Sequence, residues 1–149
     1  MKASEGKVGR VFILRLEDGD AVPASIEHFA EKKKISVGQV ILLGGIGAGN
    51  VVVGPRRSNK MPPEPMLLPV DGAHEVVGVG LLAPDKNGKP TLHVHASLGR
   101  AGKAMTGCIR PGVTTWLVAE AVIIEILGTS AIRLLDKKAK FELLQMDRR

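Results

Sequence analysis

Two histidines, His93 and His95, are separated by a single valine in the segment Thr91-Leu-His-Val-His-Ala-Ser-Leu98. On a β-strand, residues i and i+2 point to the same face, so the two imidazoles would stand side by side while Leu92, Val94 and Ala96 turn toward a core. Neighbouring imidazoles in one pleat suit a borderline divalent metal, zinc above all. Cys108 lies beyond the turn Gly99-Arg-Ala-Gly102, on what reads as the next strand, where its thiolate would complete a His₂Cys set. Three protein ligands leave a fourth position open, as in catalytic zinc sites. The same residues also admit a plainer reading, with the histidines on an exposed or interfacial face and Cys108 as a small buried apolar group. A cupin-like site would want a glutamate shortly after the second histidine, and Ala96-Ser-Leu-Gly-Arg100 supplies none.

Other polar groups are weaker candidates. Glu120 sits among apolar neighbours near Trp116. It is either a carboxylate that orients one of the imidazoles or a polar position on a half-buried strand. His74 reads as an exposed strand-edge residue or an outer ligand, and His28 as solvated, opposite Ile26 and Ala30 on a helix. Ser97, two residues after His95, is poor evidence for a nucleophile. The run Gly44-Gly-Ile-Gly-Ala-Gly49 invites a dinucleotide reading, but a G-x-G-x-x-G frame from Gly45 places Asn50 at its third glycine. The residues that follow, Val51-Val-Val53, read as a strand rather than a helix. A tight turn or bulge near a sheet edge or an oligomer contact fits this run better.

The elements that must position these residues follow from pattern and composition. With 149 residues and 44% hydrophobic content, the chain can build one sizeable core. No apolar run reaches the roughly 18–20 residues needed to cross a bilayer. The amino-terminal segment lacks the apolar stretch of a secretory signal, and a lone cysteine forms no internal disulfide, so a cytoplasmic protein with a reduced thiol is expected. Aromatic residues are only 3% of the chain, which argues against base-stacking recognition of single strands.

Val11–Leu16 reads as a first strand. Pro23, Ile26, Phe29 and Ala30 then describe one amphipathic helix, with Lys32, Lys33 and Lys34 in its last turn. Strands are expected at 37–43, 50–53, 75–83, 90–98, 103–109, 114–117, 121–127, 131–135 and 140–144. Asn87-Gly88 marks a hairpin, and five prolines between residues 55 and 69 mark an exposed loop. The fold class is therefore α+β, a mainly antiparallel β-sheet with one long amphipathic helix.

Net charge is +6. It gathers in Lys32-Lys33-Lys34, in Arg56-Arg57 with Lys60, in Lys137-Lys138 with Lys140, and in Arg148-Arg149. Such clusters either contact a polyanion by counterion release or are solvated helix ends and loops.

Gly9-Arg-Val-Phe-Ile-Leu-Arg-Leu16, the glycine run 44–49, Leu92-His-Val-His-Ala-Ser-Leu-Gly99 and Glu120-Ala-Val-Ile-Ile-Glu125 occur in collinear order. In this the chain resembles the plant and prokaryote conserved domain, also called PPC or DUF296, from about Gly9 to Phe141. The resemblance implies a single domain over residues 1–149 that assembles as a homotrimer. It also implies a DNA-binding role, here through Lys32, Lys33, Lys34, Arg56 and Arg57 directed at the duplex backbone, with no membrane partner. In the plant members the domain is fused to AT-hooks, but no Arg-Gly-Arg-Pro core occurs in this sequence. Some members resemble metal proteins, with the H-x-H pair and a later Gly-Gly-His histidine as ligands. Here that later segment is Thr106-Gly107-Cys108, so the implied zinc set becomes His93, His95 and Cys108, with Glu120 behind it. A metal-dependent enzyme or small-molecule sensor built on that set is the alternative to the DNA-binding reading.

Overall fold

Alternating burial along the strands organises the molecule. In the computed structural model, which describes residues 1–146, the order is β1 (Lys7–Glu17), α1 (Val22–Lys32), β2 (Gly38–Ala48), β3 (Asn50–Pro55), β4 (Pro65–Pro69) and β5 (His74–Pro84). There follow β6 (Pro90–Arg100), β7 (Lys103–Ile109), β8 (Thr114–Leu127), β9 (Ala131–Leu135) and β10 (Glu142–Met146). Eight strands form one sheet in the order β1-β8-β2-β5-β6-β7-β3-β4, and β9 and β10 form a separate hairpin. Every pairing among these strands is antiparallel. This is the expected α+β class, although the helix is short, at 11 residues.

One face of the sheet carries the core. Ile26 and Ala30 of α1 pack with Leu42, Leu82, Val94 and Ile123, all at or near zero exposure. Pro23 sits in the first turn of α1, where its missing N–H costs nothing. Each such buried aliphatic side chain contributes about 1.5–3 kcal/mol relative to exposure, so the helix is held by its apolar face rather than by a side-chain cap. Lys32 alone of the three lysines lies in the last turn. Lys33 is the cap, and Lys34 follows in the left-handed region at φ 56°.

Among the described residues no helix covers the opposite face. Registers across six strands place Ile13, Val122, Ile41, Val79, His95 and Cys108 in one continuous row. Its apolar members include Ile13 at 81% exposure and Val79 at 56%. The adjacent row runs Arg15, Glu120, Leu43, Val77, Ser97 and Thr106, with Val77 at 62%.

Several sequence expectations need correction. The glycine run is no turn: it lies inside β2, a central strand, although the register does shift there, between Gly44 and Ile46 and again between Ile46 and Ala48. A Cβ on Gly44 would lie 2.6 Å from the Ala119 Cα, and one on Gly45 would strike the Trp116 carbonyl. The run therefore lets the bulged β8 backbone approach β2. The two stretches 114–117 and 121–127 are one strand, β8. The proline-rich stretch contributes β4, which proline permits because β4 is an edge strand. His74 is buried rather than exposed, its Nδ1 2.8 Å from the Gly72 carbonyl.

Candidate metal centre

β6 presents His93 and His95 on the outer face because Val94, Ala96 and Leu98 are drawn into the core. The short turn after Arg100 brings β7 back in register, so that Cys108 stands directly opposite His95. The Nε2 atoms of His93 and His95 are 3.1 Å apart, with their rings nearly perpendicular at 89°. All three potential ligand atoms lie within 4.8 Å of one another.

This donor set fits zinc. A tetrahedral ion with Zn–N near 2.0–2.1 Å separates two nitrogen ligands by about 3.3 Å, close to the spacing of the imidazoles. The sulfur would need to move in by about 1 Å to meet the same ion, within reach of a side-chain adjustment. Burial holds the His93 pKa below its ordinary value, and the nearby charges of Arg133, His95 and Arg110 lower it further. The neutral imidazole, which is the ligating form, is thereby favoured.

The structure does not bring Glu120 to this cluster. Glu120 lies on β8, and β2 and β5 intervene before β6. At about 4.8 Å per strand this is some 14 Å from the row position on β6. It is exposed and pairs with Arg15 and Leu43. The buried carboxylate of β8 is Glu125. It accepts two hydrogen bonds from the Arg10 guanidinium, at 2.7 and 2.8 Å, and one from the Arg10 backbone N–H. These bonds hold its pKa at about 2 despite burial.

The basic clusters are exposed and dispersed. Lys32, Lys33 and Lys34 end α1 close to β1, where Arg10 donates to the Lys33 carbonyl. Arg56, Arg57 and Lys60 lie in the β3–β4 connection at the other sheet edge, with Arg56 paired to Glu64 at 2.9 Å. Lys137, Lys138 and Lys140 are exposed between β9 and β10. Arg148 and Arg149 lie outside the described residues.

Two residues near the cluster escape sequence reasoning. Arg133 of β9 is 5% exposed and donates to the backbone carbonyls of Leu81 and Thr91. Arg110 follows β7, two residues after Cys108. One signal was present for Arg133: it is the lone charge in the alternating apolar strand Ala131–Leu135.

Comparison with known proteins agrees with this architecture. The model of the Plants and Prokaryotes Conserved (PCC) domain matches residues 3–127, and the chain belongs to that family. It is similar to the solved structure of a metal-containing protein from Archaeoglobus fulgidus. The two are 25% identical, covering 97% of this chain and 99% of that one, with a TM-score of 0.83. It is also similar to a plant- and prokaryote-conserved (PPC) protein of Pyrococcus horikoshii, at 23% identity, 99% and 100% coverage and a TM-score of 0.81. A "putative DNA binding protein" of Bacteroides thetaiotaomicron shares the fold at 16% identity, with 97% and 99% coverage and a TM-score of 0.77. No curated protein matches the chain. Among the described residues no helix is long and apolar enough to cross a membrane.

Proposed function

We propose that this chain is a metal-binding member of the PCC family that holds zinc through His93, His95 and Cys108 and works as a homotrimer. The observation that carries the reading is the convergence of two imidazole nitrogens and one sulfur within 4.8 Å on one sheet face. The metal-containing relative from Archaeoglobus supports it. A zinc ion held by three protein ligands offers a Lewis-acidic position to a bound molecule, which suits a sensor or an enzyme. Trimer formation accounts for the outer face, where Ile13 and Val79 of one row and Val77 of the next would otherwise stand in water.

Cobalt substitution tests the site. Cobalt(II) bound by a thiolate gives a near-ultraviolet charge-transfer band, which Cys108→Ser should abolish and His95→Ala should weaken. Wild-type protein that takes up cobalt without that band would exclude Cys108 as a ligand.

A second reading, contact with double-stranded DNA, is favoured by the +6 charge and by the names of fold relatives. Clusters at opposite sheet edges favour backbone-directed contact made by several copies over base readout by one.

A further inference from the structure

We propose that Arg133 and Arg110 make the His93–His95–Cys108 cluster one wall of a binding site for a small oxyanion of the carboxylate or phosphate class. The inference rests on the metal reading for the cluster but concerns different residues and a different ligand.

Arg133 is a buried cation that, among the described residues, has no carboxylate partner. Its Nε donates to the Thr91 carbonyl at 3.3 Å and its Nη2 to the Leu81 carbonyl at 2.9 Å. Both acceptors lie beside His93: Leu81 is its cross-strand partner on β5, and Thr91 precedes it by two residues on β6. Among the described residues no carboxylate lies within ion-pair distance of Arg133. Glu142 and Glu27 exert only a longer-range influence, and Glu27 already accepts the Leu92 N–H at 2.8 Å. Burying a guanidinium costs several kcal/mol unless an anion compensates it.

Arg110 adds a second charge. It follows the last residue of β7, two positions beyond Cys108, and its charge reaches His93. It is exposed and forms no salt bridge among the described residues. A zinc ion with one thiolate and two neutral imidazoles keeps a net positive charge, to which both arginines add. An oxyanion would neutralise this concentration of charge and accept charge-assisted hydrogen bonds from the arginine forks.

The test is calorimetric titration of the full-length protein with inorganic phosphate and, separately, with acetate, with zinc content measured on the same sample. The site predicts saturable binding of at least one anion. Arg133→Met should weaken it about tenfold and Arg110→Ala severalfold, with zinc content unchanged. The comparison between the two anions tells phosphate from carboxylate chemistry. Zinc-replete protein that binds neither anion, or binds equally well in both variants, would overturn the inference while leaving the metal reading intact. Zinc-free protein that still binds with the same arginine dependence would uphold the anion site and overturn the metal reading. If Arg133→Met does not fold, exposed Arg110 decides: unchanged affinity in Arg110→Ala counts against the site.

Discussion

His95 and Cys108 face each other directly across the β6–β7 ladder, and on its other side His95 faces Val79. The candidate metal centre is thus a polar interruption in an otherwise apolar row that crosses the sheet from Ile13 and continues through Val52 and Leu67. A second copy that covers the row would border the centre without having to fill it. The same surface would then serve both assembly and ligand access.

Val79 of that row and Val77 of the adjacent row are both exposed on this face. Val77→Asp or Val79→Asp places a charge on the face assigned to assembly, where burying it without a partner is costly. Sedimentation or light scattering should show the proposed trimer in the wild type and monomer in either variant, while circular dichroism keeps its β-sheet signature. A trimer that survives both substitutions would place the interface elsewhere.

The glycine run gives a stability prediction. Gly44 has φ of 121° and no room for a Cβ against Val118 and Ala119. Gly44→Ala should destabilise by about 1–3 kcal/mol, read from chemical denaturation, through backbone strain and crowding. An exposed turn glycine such as Gly88, with nothing near its Cβ position, also has positive φ, at 83°. Gly88→Ala should therefore carry only the conformational part of the cost.

Acid stability should follow the Arg10–Glu125 pair. The Glu125 pKa is held at about 2, below the ordinary 4.5, first by its side-chain bond from Arg10. A lowered carboxylate pKa stabilises the fold above pH 4.5, and that contribution is lost as pH falls through about 2. Glu125→Gln should lower the melting temperature at pH 7, and the difference from wild type should shrink across that window. A constant difference from pH 7 to pH 2 would contradict the assignment.

Much of this arrangement was legible in the sequence because it is local. The alternation in Thr91–Leu98 sets both histidines on one face, and the two-residue turn at Ala101-Gly102 returns Cys108 to their side. Strand order is different in kind. β8 enters between β1 and β2, so the position of Glu120 depends on a pairing between residues some eighty apart, and local pattern could not show its separation from His95. Arg133 is a similar case, since it meets β5 and β6 only through the packing of the β9–β10 hairpin. The glycine run misleads because glycine serves both turns and close strand approach, and only the partner, here Trp116 with Ala119, distinguishes them.

The DNA reading has its own quantitative signature. If basic clusters contact phosphates, log affinity for duplex DNA should fall linearly with log salt concentration. Arg56→Ala with Arg57→Ala should then reduce the slope by about two. Equal slopes in wild type and variant would remove that cluster from any DNA contact.

The most direct measurement is elemental analysis of protein purified without chelator, beside the His93→Ala and Cys108→Ser variants. Exposed His93 can be replaced without disturbing the core, so loss of metal would reflect loss of a ligand. About one zinc per chain is expected in the wild type and little in either variant, each retaining its fold. Wild-type protein without metal, or variants that keep it, would contradict a metal site at His93, His95 and Cys108.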